Sequence, residues 1–213
     1  MPSCKICSQK TRIIFDRQYE HNYYYCANCE FIFLDESKII SPAQEKKEYS
    51  FHHNSLENEG YVQMFRDFIN QAIKPSRSGK TTALDFGSGP EPVLAELLRL
   101  EGFETDIYDK YFAPEMADQN KKYDLITATE VFEHLADPLS TLKQLKPLLN
   151  KNGILALMTL FHQNNDEHFK AWWYRRDATH IAFYTPKTFH CLAALLNMKV
   201  KMSDQKNICV LGA

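Results

Sequence analysis

A short apolar run that ends in a glycine turn, Leu84-Asp85-Phe86-Gly87-Ser88-Gly89-Pro90, is followed 20 residues beyond its second glycine by an acid, Asp109. This order constrains the chain more than any other feature it carries. A strand that delivers such a turn to the start of a helix lets a ligand approach bare backbone, and an acid at the end of the next strand can bond a ribose diol. That arrangement requires a parallel sheet with helical crossovers, and it reads as a crevice for a nucleotide-type cofactor. The next apolar stretch, Tyr123-Asp124-Leu125-Ile126-Thr127-Ala128-Thr129, ends in Glu130-Val131-Phe132-Glu133-His134 and so places carboxylates and an imidazole at the mouth of the same crevice.

The surrounding pattern agrees with that sheet. Strand-like runs alternate with helical ones: Thr82 to Phe86, a helix through Leu94, Leu97 and Leu98, Thr105 to Tyr108, Asp124 to Thr129, a helix from Pro138 to Leu149, and Ile154 to Thr159. Thr185-Pro186 is a helix start, and Val200 with Ile208-Cys209-Val210-Leu211 predicts a closing hairpin with one antiparallel strand. The expected fold is α/β, a doubly wound, mostly parallel Rossmann-like sheet over residues 81–213. Before it, Tyr61, Met64, Phe65, Phe68, Ile69, Ala72 and Ile73 recur at helical intervals up to Pro75, with Asn54 and Glu57 at capping-box spacing. This packing helix and the polar stretch from Asp35 to His53 make residues 37–80 a partly helical linker.

The first 36 residues carry a second signature. Cys4-Lys5-Ile6-Cys7 and Cys26-Ala27-Asn28-Cys29 are two C-x2-C pairs 18 residues apart, a spacing that suits thiolate ligands of one structural zinc better than disulfides or a redox pair. Four sulfurs leave the ion no open position. Arg12-Ile13-Ile14-Phe15 and Tyr23-Tyr24-Tyr25 supply the strands of a small zinc ribbon, which is too short to fold on buried apolar area alone. Ser8 and Glu30 follow the two pairs where such turns often carry glycine. Cys191 and Cys209 lie in apolar contexts and read as core residues.

Composition narrows the partners. No apolar run approaches the roughly 18 residues of a membrane span, and the start of the chain has no apolar leader, so a cytoplasmic protein without membrane partners is expected. A net charge of −2 disfavours a broad phosphate-binding surface and makes nucleic acid a secondary partner.

Glu130, Glu133 and His134 fall within one helical turn at the end of a strand, where three ligands can converge. Oxygen with imidazole suits magnesium, manganese, iron or zinc, and the residue types alone do not choose among them. The competing reading has the same residues closing a helix start or orienting a cofactor without any ion.

Taken together, Asp85-x-Gly87-x-Gly89, Asp109 and Asp124-Leu125-Ile126-x-x-x-Glu130-x-x-Glu133-His134-Leu135 resemble the class I S-adenosylmethionine-dependent methyltransferases from about Thr82 onward. The resemblance implies that Asp85, Gly87 and Gly89 line the amino-acid part of S-adenosyl-L-methionine and that Asp109 holds its ribose. Two departures stand out. Glu91 replaces the third glycine, and only Lys110 to Lys122 separate the second strand from the next, so the third-strand region that helps bind adenine is reduced. Tyr108, Tyr111 and Phe112 are the nearby candidates for stacking. The Glu130-x-x-Glu133-His134 pattern is similar to the metal-binding signature of small-RNA 2'-O-methyltransferases and of ubiquinone-pathway O-methyltransferases. In the RNA group a further histidine follows the fifth strand, which makes His180 the matching candidate and His162 the runner-up. Glu130, His134 and His180 are the candidate catalytic residues, and with Glu133 they form a candidate second metal site for Mg2+ or another divalent ion. Trp172, Trp173, Tyr174, Phe183 and Tyr184 would wall the acceptor site, and Arg175-Arg176 would meet an anionic group of the acceptor. The implied activity is methyl transfer, most simply to oxygen of a small or sugar-like acceptor. An RNA or protein methyltransferase that uses the ribbon for recognition, and a non-catalytic interaction protein on a degenerate fold, are the alternatives.

Overall fold

The computed structural model describes residues 1–51, 55–76, 79, 81–115 and 121–212. Its centre is a six-stranded sheet in the order β5-β4-β6-β7-β10-β9. The strands are β4 (Thr82–Phe86), β5 (Glu104–Tyr108), β6 (Tyr123–Thr129), β7 (Leu149–Met158), β9 (Lys199–Ser203) and β10 (Ile208–Gly212). β4 pairs in parallel with β5 and β6, and β6 with β7, whereas β10 runs antiparallel to both β7 and β9. The closing hairpin therefore has the one antiparallel strand expected. Among the described residues no strand lies outside β5, in keeping with the reduced third-strand region.

Helices cover both faces of this sheet, so β6 is buried nearly throughout, as a central parallel strand must be. Alternate strand residues divide between two apolar clusters. Ala83, Leu125, Ile154, Ala156 and Val210 face α2 (Glu59–Phe68) and α3 (Val93–Leu100). Leu84, Ile126, Leu155, Leu157 and Leu211 face α4 (Pro138–Leu145) and α6 (Pro186–Leu195).

Several boundaries differ from the sequence expectation. The helix from Pro138 ends at Leu145 and not at Leu149, because Pro147 cannot continue it; Lys146–Leu148 form a 3-10 turn and β7 starts at Leu149. α2 is capped by Asn58, whose side chain accepts from the Tyr61 amide at 3.1 Å. Asn54, the residue expected to cap it, lies outside the described residues. The apolar stripe continues from α2 into a π-helical turn, Ile69–Ile73, that keeps Ile69, Ala72 and Ile73 buried. In the linker, α1 (Pro42–Tyr49) opens with a capping box between Ser41 and Gln44 and buries none of its residues.

The amino-terminal strands β1 (Arg12–Asp16), β2 (His21–Tyr25) and β3 (Ile32–Leu34) form an antiparallel sheet that continues onto β8 (Ala182–Phe183), with Ile32 opposite Phe183. Side chains seal this junction. Thr188 donates to the Cys29 carbonyl at 2.8 Å, and Thr185 donates to the Glu30 carboxylate at 3.0 Å. α5 (Asp166–Ala171) lies nearby, and its Phe169 packs on Tyr23 and Phe183. Arg175, expected to meet an anionic acceptor, is instead buried in an ion pair with Asp16 and also donates to the Phe169 carbonyl. A guanidinium so enclosed is out of reach of a ligand. Arg176 is exposed. No helix among the described residues is long and apolar enough to cross a membrane.

His162 completes the junction. Its Nε2 donates to the Glu30 carbonyl at 2.8 Å, and its Nδ1 accepts from the Asn164 amide at 3.0 Å. The neutral ring is thus fully satisfied, and burial lowers its pKa to about 4. Protonation would break the Asn164 bond. Because the folded pKa lies below the unfolded value, this contribution is complete at neutral pH and is lost as pH falls from about 6.5 toward 4. Denaturant titrations should show about 2 kcal/mol of this stability gone at pH 5, and His162→Gln should remove that part of the slope. An unchanged slope in the variant would show that the histidine does not carry it.

Candidate active site

The carboxyl ends of β4, β5 and β6 open into a cavity of about 1040 Å3. Gly87 and Gly89 line it, both with positive φ, at 81° and 69°. The Gly87 and Ser88 amides donate to the Tyr108 carbonyl at 2.7 and 3.1 Å, so the turn is fastened to the neighbouring strand. A Cβ on Gly87 would come within 2.2 Å of Val131 Cγ2, whereas one on Gly89 would meet nothing within 4 Å. Asp109 also lines the cavity, accepting from the Gly89 amide at 3.0 Å and from the Tyr111 and Phe112 amides at 2.8 and 3.1 Å. The Ser88 hydroxyl is buried against this wall without a hydrogen-bond partner. An orphaned hydroxyl beside two glycines is what a small polar ligand would satisfy.

Asp85 is placed differently from Gly87, Gly89 and Asp109. It is buried behind the turn, off the cavity wall, where it accepts from Thr127 Oγ1 at 2.8 Å and from the Ala95 amide in the first turn of α3. Burial raises its pKa to about 6. It braces the turn from beneath. Of the stacking candidates, Tyr108 and Phe112 line the cavity, and Tyr108 stacks on Phe86 at 5.0 Å; Tyr111 turns away to the Glu45 carboxylate.

The carboxylate-histidine cluster sits at the end of β6. Glu130 leaves the strand with a positive φ of 53°, and Glu133 and His134 follow in a single 3-10 turn, Phe132–His134. His180 enters from the loop before β8, and ligand atoms of Glu133, His134 and His180 all lie within 4.8 Å of one another. Each imidazole is oriented by its other nitrogen: His134 Nδ1 lies 3.0 Å from the Thr179 carbonyl and His180 Nδ1 2.7 Å from the Tyr174 carbonyl. A carbonyl only accepts, so both Nδ1 atoms carry hydrogen, and in a neutral ring the Nε2 atom then keeps its lone pair. Burial, then the neighbouring His134, lowers the pKa of His180 and holds it neutral.

Glu133 is fully buried, with Oε1 accepting from the Tyr174 hydroxyl at 2.6 Å and Oε2 unpartnered. Glu130, 3.5 Å from the same hydroxyl, stands outside the trio; burial and the Glu133 charge push its pKa up to about 9, so it is a neutral acid at pH 7. Tyr174 was expected only as wall. In the structure its hydroxyl orients Glu133 and its carbonyl orients His180, roles that no local sequence pattern marks. Trp173, 65% exposed, also lines the cavity, while Phe183 and Tyr184 belong to the core and Trp172 packs against it. His162, the runner-up, is at the ribbon junction and away from this cluster.

In the ribbon, Cys4, Cys7, Cys26 and Cys29 form the other group able to hold a metal among the described residues. Their sulfurs approach at 3.5 Å for Cys4–Cys29 and Cys7–Cys26 and 3.6 Å for Cys7–Cys29, near the about 3.8 Å edge of a tetrahedron with zinc–sulfur bonds of about 2.3 Å. Both pairs turn alike, with Ser8 and Glu30 donating to the Cys4 and Cys26 carbonyls from left-handed positions, φ 58° and 62°. These are the two positions that lack the usual glycine. The Cys29 thiol stabilises a Cys4 thiolate and lowers Cys4 to about 5. Cys209 is buried in the core as expected; Cys191 is half-buried, with its thiol against those of Cys7 and Cys29.

Two outcomes follow from this geometry. Gly87→Ala should cost about 3 kcal/mol or more in urea unfolding, since overpacking adds to left-handed strain, and Gly89→Ala about 1 kcal/mol. Equal costs would show that Val131 does not confine the turn. Elemental analysis should find one zinc per chain, lost in Cys29→Ser together with thermal stability.

The model of a family described as "Methyltransferase domain" matches residues 48–200. A tRNA U34 carboxymethyltransferase of Campylobacter fetus is 42% identical over 53 residues, 25% of this chain and 19% of that protein. A ubiquinone biosynthesis O-methyltransferase of Actinobacillus pleuropneumoniae is 30% identical over 90 residues, 40% of this chain and 38% of its own length. The chain thus spans well under half of these relatives. Among solved structures, CalO1, a methyltransferase in calicheamicin biosynthesis in its SAH-bound form, superposes with a TM-score of 0.54 at 14% identity, covering 80% of this chain and 58% of that one. The mitomycin 7-O-methyltransferase MmcR gives 0.54 at 13% identity, covering 70% and 53%. With the glycine turn, Asp109 and the strand order in place, the match over residues 48–200 shows that the chain belongs to the methyltransferase domain family.

Proposed function

We propose that this chain is an S-adenosylmethionine-dependent methyltransferase acting on oxygen of a small hydroxylated acceptor, sugar-like compounds included. One observation carries the reading: a single cavity holds the glycine turn with the orphaned Ser88 hydroxyl and, on its wall, two imidazoles with free Nε2 atoms. When bound, the cofactor supplies an electrophilic methyl group on a sulfonium. The residues of the chain do the rest. Gly87 and Gly89 admit the amino-acid part to bare backbone, and Asp109 faces the ribose. His180, kept neutral by burial, can take the proton that an acceptor hydroxyl loses as its oxygen attacks, and His134 offers a second lone pair beside it. Most of the barrier reduction would come from positioning the acceptor in line with the methyl group.

A second reading of the same cluster places a divalent ion on Glu133, His134 and His180. It is favoured by the unpartnered Glu133 Oε2 and by the two Nδ1 bonds, which are the outer contacts that metal-bound imidazoles use. Two imidazoles with one carboxylate suit zinc, iron or manganese better than magnesium. Such an ion would polarise the acceptor oxygen.

The ubiquinone-pathway relatives support a small acceptor, whereas the tRNA-modifying relative supports the RNA alternative. Charge favours the former. Lys110 is the one lysine or arginine lining the cavity among the described residues, and it is bonded to Glu45.

Calorimetric titration of S-adenosylmethionine and S-adenosylhomocysteine into zinc-replete protein should show micromolar binding. Asp109→Ala should weaken it by at least about tenfold, the equivalent of 1.4 kcal/mol. No heat with either ligand would remove the methyltransferase reading in favour of a non-catalytic interaction protein. Once an acceptor is found, His180→Ala should lower turnover about 100-fold or more and leave cofactor affinity within about twofold. Loss of turnover on chelation, restored by one ion, would decide for the metal reading.

A further inference from the structure

The linker helix α1 does something the ribbon and the sheet do not. It carries Tyr49 into the cavity wall, yet it buries none of its own residues. Its apolar packing is confined to the half-buried Tyr49 ring, and a single carboxylate supplies its ties to the loop after β5. Glu45, whose side chain is 14% exposed, accepts from Lys110 Nζ at 2.8 Å on both oxygens, from the Tyr111 hydroxyl at 2.6 Å and from the Tyr49 hydroxyl at 2.8 Å. Lys110 and Tyr111 directly follow Asp109, whose carboxylate holds the Tyr111 amide. Glu45 thus ties α1 to the same short loop that presents the ribose-binding acid. Held this way, the Tyr49 ring stands edge-on to His134 at 5.2 Å and lies 6.0 Å from Tyr111. The family match begins at residue 48, so Glu45 and most of α1 lie outside it.

We propose that α1 is the outer wall of the cofactor subsite, and that Glu45 is the positioning residue that keeps it closed over the loop after β5. The proposal rests on the cofactor reading above. The bonds from Lys110 and Tyr111 to Glu45 hold the Tyr49 ring against a ligand seated between the glycine turn and Asp109, and those contacts are lost on leaving and not on approach, so the carboxylate governs release more than entry. The Tyr49 ring is the part of α1 that touches the ligand space. The bond from its hydroxyl to Glu45 fixes its angle.

The test uses the full chain and S-adenosylhomocysteine, with association and dissociation rates read by surface plasmon resonance and folding by thermal melting. Glu45→Ala should raise the dissociation rate by about tenfold, the scale of losing charge-assisted bonds, with the association rate within about threefold and an unchanged melting temperature. Tyr49→Ala should have a similar effect. Tyr49→Phe, which keeps the ring and loses the bond, should fall between. Lys110→Met should raise the rate alone but add little in the Glu45→Ala background, as members of one network do. A Glu45→Ala dissociation rate within about twofold of wild type would overturn the proposal, as would a parallel rise in both rates with a lowered melting temperature, which marks general loosening. If the wild-type chain binds no S-adenosylhomocysteine, the cofactor reading itself falls and this proposal with it.

Discussion

β4 and β6 end side by side at the crevice, and each must turn away at once to leave room between them. Both do so through a left-handed residue, Gly87 at φ 81° and Glu130 at φ 53°. The two turns interlock, because Val131, immediately after Glu130, fills the volume that a Cβ on Gly87 would occupy. Glycine adopts that conformation freely, whereas Glu130 bears a cost of about 1 kcal/mol. What that cost secures is direction. The exit from β6 sends Glu133 and His134 back over the crevice, and the exit from β4 fastens its amides to Tyr108, so the cofactor turn and the acid-imidazole cluster form one mouth.

Charge at this mouth is balanced with little help from cations. Glu133 is fully enclosed and Glu130 half-buried, and two ionised carboxylates there would repel without a positive partner. Protonation of Glu130 relieves the pair, and the Tyr174 hydroxyl donates to Glu133 Oε1. One side remains open: neither imidazole Nε2 has a hydrogen-bond partner among the described residues, while the protonated Glu130 carboxyl is the donor nearest Glu133. Two imidazole nitrogens that converge beside a buried carboxylate are complementary to a ligand that brings a donor, whether an acceptor hydroxyl or a cation.

Local pattern made much of the sheet and the cluster legible. The alternation of short apolar runs with helical ones located β4, β5, β6 and the closing hairpin, and spacing along one turn brought Glu133 and His134 together. His180 came from a family pattern, and no spacing would have found it, since it lies 46 positions beyond His134 and reaches it through the fold. Failures came where a distant partner decided the outcome. Arg175 reads as an exposed base until Asp16, 159 positions away, encloses it. Asp85 reads as a cofactor ligand, but Thr127 and the start of α3 hold it behind the turn. Tyr174 looked like wall because a hydroxyl that braces two other side chains leaves no period or motif. The missing glycines after each cysteine pair proved harmless for a local reason: Ser8 and Glu30 adopt the left-handed turn themselves.

The same long-range contacts bear on what the ribbon contributes. A module used only for recognition would need little from the methyltransferase sheet beyond a tether. Here the junction runs directly to the cluster. The Leu34 amide of β3 donates to the Ile181 carbonyl at 2.9 Å, and the Ile181 amide donates to the Glu133 carbonyl at 2.8 Å. One residue, Ile181, therefore bridges a ribbon strand and the backbone of Glu133, next to His180. Cys29 and Glu30, a ligand and its neighbour, grip Thr188, Thr185 and His162 on the far side of the same loop. A four-cysteine ion would thus stiffen the segment that presents His180, because the turn it closes is hydrogen-bonded into that segment from both sides. The buried Arg175–Asp16 pair joins the segment to β1 as well, and breaking it would leave an uncompensated charge in the interior. By these contacts the ribbon acts as the back wall of the acid-imidazole cluster, a role that needs no macromolecular partner.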